Sequence, residues 1–128
     1  RLFPRIDARV GTAYDLGFPP GAFDLVICAE VLEHLDAPDR ALAQIQRLAP
    51  RRVILSVPHE PFFRLSNLLA GNNVRLLGND PEHVNHWGRA GFQRFIARDF
   101  EVLAAPGVFP WTMVLARPRP GSLSSPPR

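Results

Sequence analysis

The sequence predicts an α/β fold whose central strands run parallel. Two short apolar runs point to it: Phe23-Asp24-Leu25-Val26-Ile27-Cys28, and Arg52-Val53-Ile54-Leu55-Ser56-Val57. Neither alternates polar with apolar residues, the pattern of strands buried on both faces of a parallel sheet. Between them lies a stretch with helical spacing, so the order is strand, helix, strand, a βαβ unit with a right-handed crossover.

The elements follow in order. Gly-Phe-Pro-Pro-Gly at 17–21 is a turn signal ahead of the first strand. Asp36 is a candidate helix cap, with Pro38 in the first turn. Leu42, Ile45 and Leu48 then recur along one face, and Pro50 stops the helix before the second strand. Pro61 opens another helical stretch, in which Phe62, Leu65 and Leu69 share a face and Gly71 is a candidate C-terminal cap. Residues 72–88 are polar and irregular, and loops of this length are usually functional or disordered. Phe92, Phe95 and Ile96 mark a helix over 89–100. Residues 100–104 and 111–116 read as an antiparallel hairpin around Pro106-Gly107. The order is β-α-β-α-α-β-β. The domain reading is one partial domain over 1–117 and a disordered Pro/Ser-rich tail over 118–128.

Composition narrows the function classes. The chain has 128 residues, 46% hydrophobic and 21% charged, an ordinary globular balance. No apolar run approaches the ~20 residues of a membrane span. The one cysteine, Cys28, excludes an internal disulfide framework and fits a reducing, cytoplasmic compartment. All fifteen basic residues are arginine, the net charge is only +3, and the arginines are scattered. A nucleic-acid surface would gather them in a stripe.

Two segments carry a family resemblance. They are Gly11-Thr12-Ala13-Tyr14-Asp15-Leu16-Gly17-Phe18, and Phe23-Asp24-Leu25-Val26-Ile27-Cys28-Ala29-Glu30-Val31-Leu32-Glu33-His34-Leu35. Together they resemble the middle of a class I S-adenosylmethionine-dependent methyltransferase, whose pattern is roughly G-D-A-x-x-L-P-F, a turn, then F-D-x-V-x-x-x-x-V-L-E-H. Thr12 departs from the family's Asp and Gly17 from its Pro. The resemblance implies a Rossmann-like sheet with helices on both faces and a C-terminal antiparallel hairpin. It also implies that the N-terminal strands, with the family's glycine-rich loop and ribose-binding acid, lie before residue 1 and are missing from this chain.

Ligands of α/β sheets sit at the carboxyl ends of the strands, which places Cys28-Ala29-Glu30 and Pro58-His59-Glu60 at one edge. By resemblance, Thr12 and Ala13 flank the adenine of S-adenosyl-L-methionine, and Cys28 and Ala29 offer it backbone groups. Taken without the resemblance, Thr12 and Ala13 are a plain loop. Cys28 has no cationic neighbour in sequence to activate it as a nucleophile. Methyl transfer needs the acceptor held in line and sometimes a base, and Glu30 and His59 are the catalytic candidates. His59 equally suits hydrogen bonding within its loop.

Glu30, Glu33 and His34, at i, i+3 and i+4, fall on one face of a helical turn. Two carboxylates and an imidazole suit a divalent ion such as Mg²⁺ or Mn²⁺. The E-x-x-E-H pattern resembles that of two metal-binding groups, the ubiquinone-biosynthesis O-methyltransferases and the small-RNA 2′-O-methyltransferases. Glu82-His83-Val84-Asn85-His86-Trp87 resembles the RNA group's D-H-x-x-E-W segment and implies His83 as a fourth ligand. V-L-E-H-L also occurs in metal-free members, where Glu33 and His34 fix the turn. Trp87, Trp111, Phe62 and Phe63 are candidates to line an apolar substrate pocket, although helical spacing assigns Phe62, Phe92 and Phe95 to the core by default.

Three functions follow. The first is S-adenosylmethionine-dependent methyl transfer to an oxygen or other nucleophile of a small molecule. The second is metal-dependent RNA 2′-O-methylation, and the third is a non-catalytic α/β interaction module.

Overall fold

The structure is a computed structural model that describes residues 6–59, 69–71 and 84–120. Its elements are β1 (Leu25–Ala29), a single 3₁₀ turn (Leu32–His34), α1 (Pro38–Arg47), β2 (Arg52–Pro58), α2 (Arg89–Ala97), β3 (Phe100–Ala104), β4 (Gly107–Val108) and β5 (Trp111–Pro118). The five strands form one sheet in the order β1-β2-β5-β3, with β4 paired to β5. β1 and β2 are parallel, Val26 beside Val53 and Cys28 beside Leu55. β5 lies antiparallel to both β2 and β3, and a register shift between Val102 and Ala104 bends β3. The βαβ unit and the C-terminal hairpin are as the sequence predicts.

α1 forms where expected, and Leu42, Ile45 and Leu48 are buried. Its start differs. Ala37 is the N-cap, no side chain caps the helix, and Pro38 stands at the first position, where a missing N–H costs nothing. Ala49 then turns the chain with φ 49°, a left-handed conformation usually given to glycine. α2 ends at Ala97, because Phe100 enters β3.

One core cluster joins alternate residues of the sheet, Val53, Leu55, Val57, Val114 and Ala116, to Leu42 and Ile45 of α1 and Phe92 and Ile96 of α2. The described helices therefore gather on one face. This corrects the double burial predicted for the first strand. In β1 Val26 and Cys28 pack towards the core, while Leu25 and Ile27 are 45% and 62% exposed. The predicted helix after Pro61, with Phe62, Phe63 and Leu65, falls outside the described residues except for 69–71. Of the predicted tail only residues 118–120 are described: β5 runs to Pro118, and Arg119 donates to the carbonyls of Phe100 and Ala97.

Candidate functional site

The first segment turns on local hydrogen bonds. The Tyr14 N–H donates to Thr12 Oγ1 at 3.3 Å, and the Gly17 N–H donates to Asp15 Oδ1 at 3.2 Å, both short polar side chains mimicking a backbone turn. Tyr14 Oη accepts the Ala37 N–H at 3.3 Å, which fastens this turn to the start of α1. The turn faces β1 across a cavity of about 530 Å³, lined among others by Thr12, Ala13, Asp15, Leu16, Val26, Cys28, Val31 and Ile45. Its size and largely apolar wall with a few polar groups suit a small ligand. The structure thus brings Thr12, Ala13 and Cys28 to one cavity. Ala29 closes β1 beside it without lining it. Burial, reinforced by the Glu33 carboxylate, pushes the Cys28 thiol up to about 11, so it stays protonated and is no nucleophile.

Glu30 follows directly at the strand's carboxyl end with φ 55°. A non-glycine residue in this region is strained and persists only where its surroundings fix it, which happens chiefly at functional sites. Here Ser56 fixes it. The Glu30 N–H donates to the Ser56 carbonyl at 3.1 Å, and Ser56 Oγ donates to Glu30 Oε1 at 2.8 Å. The left-handed step also takes Glu30 out of the helical turn, so the shared face expected of Glu30, Glu33 and His34 does not form.

Glu33 is 2% exposed, and neither carboxylate oxygen has a hydrogen-bond partner among the described residues. His34 Nε2 lies 3.8 Å from Oε1. Burial holds the Glu33 carboxyl above the usual carboxylate range, and the nearby charge of Glu30 pushes the same way. The Glu33 carbonyl accepts the N–H groups of Val84 and Asn85 at 2.8 and 3.0 Å, and Asn85 Nδ2 donates to the carbonyls of Leu32 and Leu35. Among the described residues no three His, Cys, Asp or Glu groups converge to hold a metal. His83, the implied fourth ligand, lies outside the described residues. Among the described residues the donor pair is Glu33 and His34.

His59 stands one residue beyond β2. Its N–H donates to the Pro110 carbonyl at 3.0 Å, and Nδ1 lies 3.1 Å from Thr112 Oγ1. Trp87 does not line the cavity. It stacks on Phe95 with ring centroids 5.1 Å apart and packs against Phe92 and the core, which corrects its reading as a pocket wall. Trp111 opposes Pro58 in the sheet and is 42% exposed, also away from this cavity. The sequence reading passed over Ser56, Thr112 and Asn85. A serine and a threonine inside otherwise apolar strands were the available signal for the first two.

Residues 1–56 match a family described as a methyltransferase domain. Ajmaline N-methyltransferase of Rauvolfia serpentina is 29% identical over 89 residues, which are 67% of this chain and 31% of that protein. The PH0226 protein of Pyrococcus horikoshii OT3 superposes with a TM-score of 0.60 at 21% identity, over 90% of this chain and 60% of that one. Magnesium protoporphyrin IX methyltransferase (ChlM) of Synechocystis PCC 6803, solved with bound SAH, superposes with a TM-score of 0.58 at 19% identity, over 85% of this chain and 49% of that one. The chain is thus similar to methyltransferase domains over its first 56 residues and to these solved structures in its fold. It spans about a third of the length of the curated relative.

Proposed function

We propose that the protein is an S-adenosylmethionine-dependent methyltransferase, to which this chain contributes one wall of the cofactor site and the acceptor edge. The observation that carries the reading is the cavity joining Thr12 and Ala13 to Cys28 at the end of β1, within a segment matched by a methyltransferase domain. S-adenosyl-L-methionine, when bound, supplies a methyl group on a sulfonium. The chain's own residues hold and orient. The Thr12–Ala13 turn takes the adenine, and the backbone of Cys28 takes the rest of the nucleoside side, with Ala29 beside the cavity. Glu30 and His59, at the ends of adjacent parallel strands, hold the acceptor in line for transfer. The acceptor is an oxygen or other nucleophile of a small molecule, in keeping with the ajmaline and magnesium protoporphyrin IX named for two relatives. No described helix is long and apolar enough to cross a membrane, and the single cysteine supports a cytoplasmic setting.

Calorimetry of SAH binding to the full-length protein tests this. Ala13→Leu thickens the cavity wall and is expected to weaken SAH at least tenfold, about 1.4 kcal/mol, with little change in Tm. A wild-type protein that takes up no SAH overturns the reading.

One observation favours a second reading, metal-dependent methylation of an RNA 2′-hydroxyl. The buried Glu33 carboxylate has no hydrogen-bond partner among the described residues and sits beside His34, as a ligand pair would. This reading expects methyl transfer to stop in a chelator, and full activity there ends it.

A further inference from the structure

Val57 and Thr112 are register partners across β2 and β5, so Thr112 enters the sheet beside the strand that His59 extends. Thr112 is 2% exposed, and among the described residues its hydroxyl has one hydrogen-bond partner, His59 Nδ1 at 3.1 Å. A hydroxyl brings one hydrogen to donate, and a buried donor left without an acceptor is costly. If Nδ1 carried the hydrogen, the Thr112 hydrogen would have no acceptor among the described residues. The satisfied arrangement has the Thr112 O–H donating to an unprotonated Nδ1, which leaves the hydrogen of the neutral ring on Nε2. The bond from the His59 N–H to the Pro110 carbonyl holds the backbone behind the ring.

We propose that Thr112 is a positioning residue that locks His59 as the Nε2–H tautomer, so that His59 holds an oxygen of the acceptor molecule instead of removing its proton. The proposal rests on the methyltransferase reading for the identity of that molecule. The ligand class is one presenting an oxygen lone pair, such as a carboxylate, carbonyl or phenolate oxygen. Nε2 has no hydrogen-bond partner among the described residues and is the ring nitrogen left for it.

Long-range ¹H–¹⁵N spectra of the full-length protein labelled in its histidines read the tautomer directly, with His59→Gln assigning the signal. The expected result is the Nε2–H pattern in the wild type, a tautomer mixture in Thr112→Val, and the wild-type pattern again in Thr112→Ser. A merely structural threonine would not move this signature. An Nδ1–H ring in the wild type, or a pattern that Thr112→Val leaves unchanged, overturns the proposal. Titration with benzoate is expected to shift the Nε2 signal of the wild type, and no shift overturns the oxygen-holding role. The two readings fail separately. SAH binding without a locked tautomer removes this one alone, and a locked tautomer without SAH binding removes the enzyme alone.

Discussion

Glu33 shows what one side chain does to the pH dependence of this molecule. Its carboxyl is held above the ordinary range mainly because burial disfavours the charge. The folded state therefore binds that proton more tightly than the unfolded chain does. The stabilisation is complete below the unfolded carboxyl's pKa and is lost as pH rises through the folded one. Glu33→Gln keeps the shape and removes the charge. We expect its Tm to exceed that of the wild type at neutral pH, by an amount on the order of 1 kcal/mol of stability, and the difference to shrink towards pH 4. Calorimetric melts of both proteins across that range check it. A gap that does not depend on pH would mean that Glu33 is not charged at neutral pH.

At the scale of elements, the connections carry what the strands and helices do not reveal. Asn85 spans from the segment before α2 to the 3₁₀ turn, donating to Leu32 and Leu35. Asn85→Ala leaves those carbonyls with one donor fewer each and is expected to cost about 1–2 kcal/mol. Amide exchange should quicken at Leu35 and Val84, and unchanged exchange there would show that the link is idle. Ala49 makes the opposite case. Its left-handed φ of 49° at the end of α1 is strained for alanine. Ala49→Gly should raise stability by about 1 kcal/mol, read as a rise in Tm. These connections also mark how far the sequence could be read. The helix through Leu42, Ile45 and Leu48 follows from its period and the strands β1 and β2 from their continuous apolar runs; all three form, although β1 is buried on one face and not on two. The face uniting Glu30, Glu33 and His34 assumed a helix from Glu30 onward. A bond to Ser56, 26 residues away, turned Glu30 left-handed, and no local pattern encodes that. Thr12, Ala13 and Cys28 were legible as a site only through the family resemblance, since a cavity between distant segments has no periodicity.

The whole molecule adds a constraint that no single element shows. The described helices cover one face of the sheet, and β1 ends the strand order. Leu25 and Ile27 thus stand 45% and 62% exposed on a strand whose outer edge has no partner strand among the described residues. Unpaired backbone flanked by apolar side chains is a template for association, and natural edge strands are commonly blunted with charge, lysine above all. Ile27 also lines the cavity, so the two residues separate the effects. Leu25→Lys on the 128-residue chain should reduce concentration-dependent association in sedimentation experiments and leave Tm within about 0.5 kcal/mol of wild type, as for most surface changes. The same change at Ile27 should reduce association and also alter the cavity wall. If the wild-type chain does not associate, or Leu25→Lys leaves its association unchanged, the edge of β1 is not a template for association.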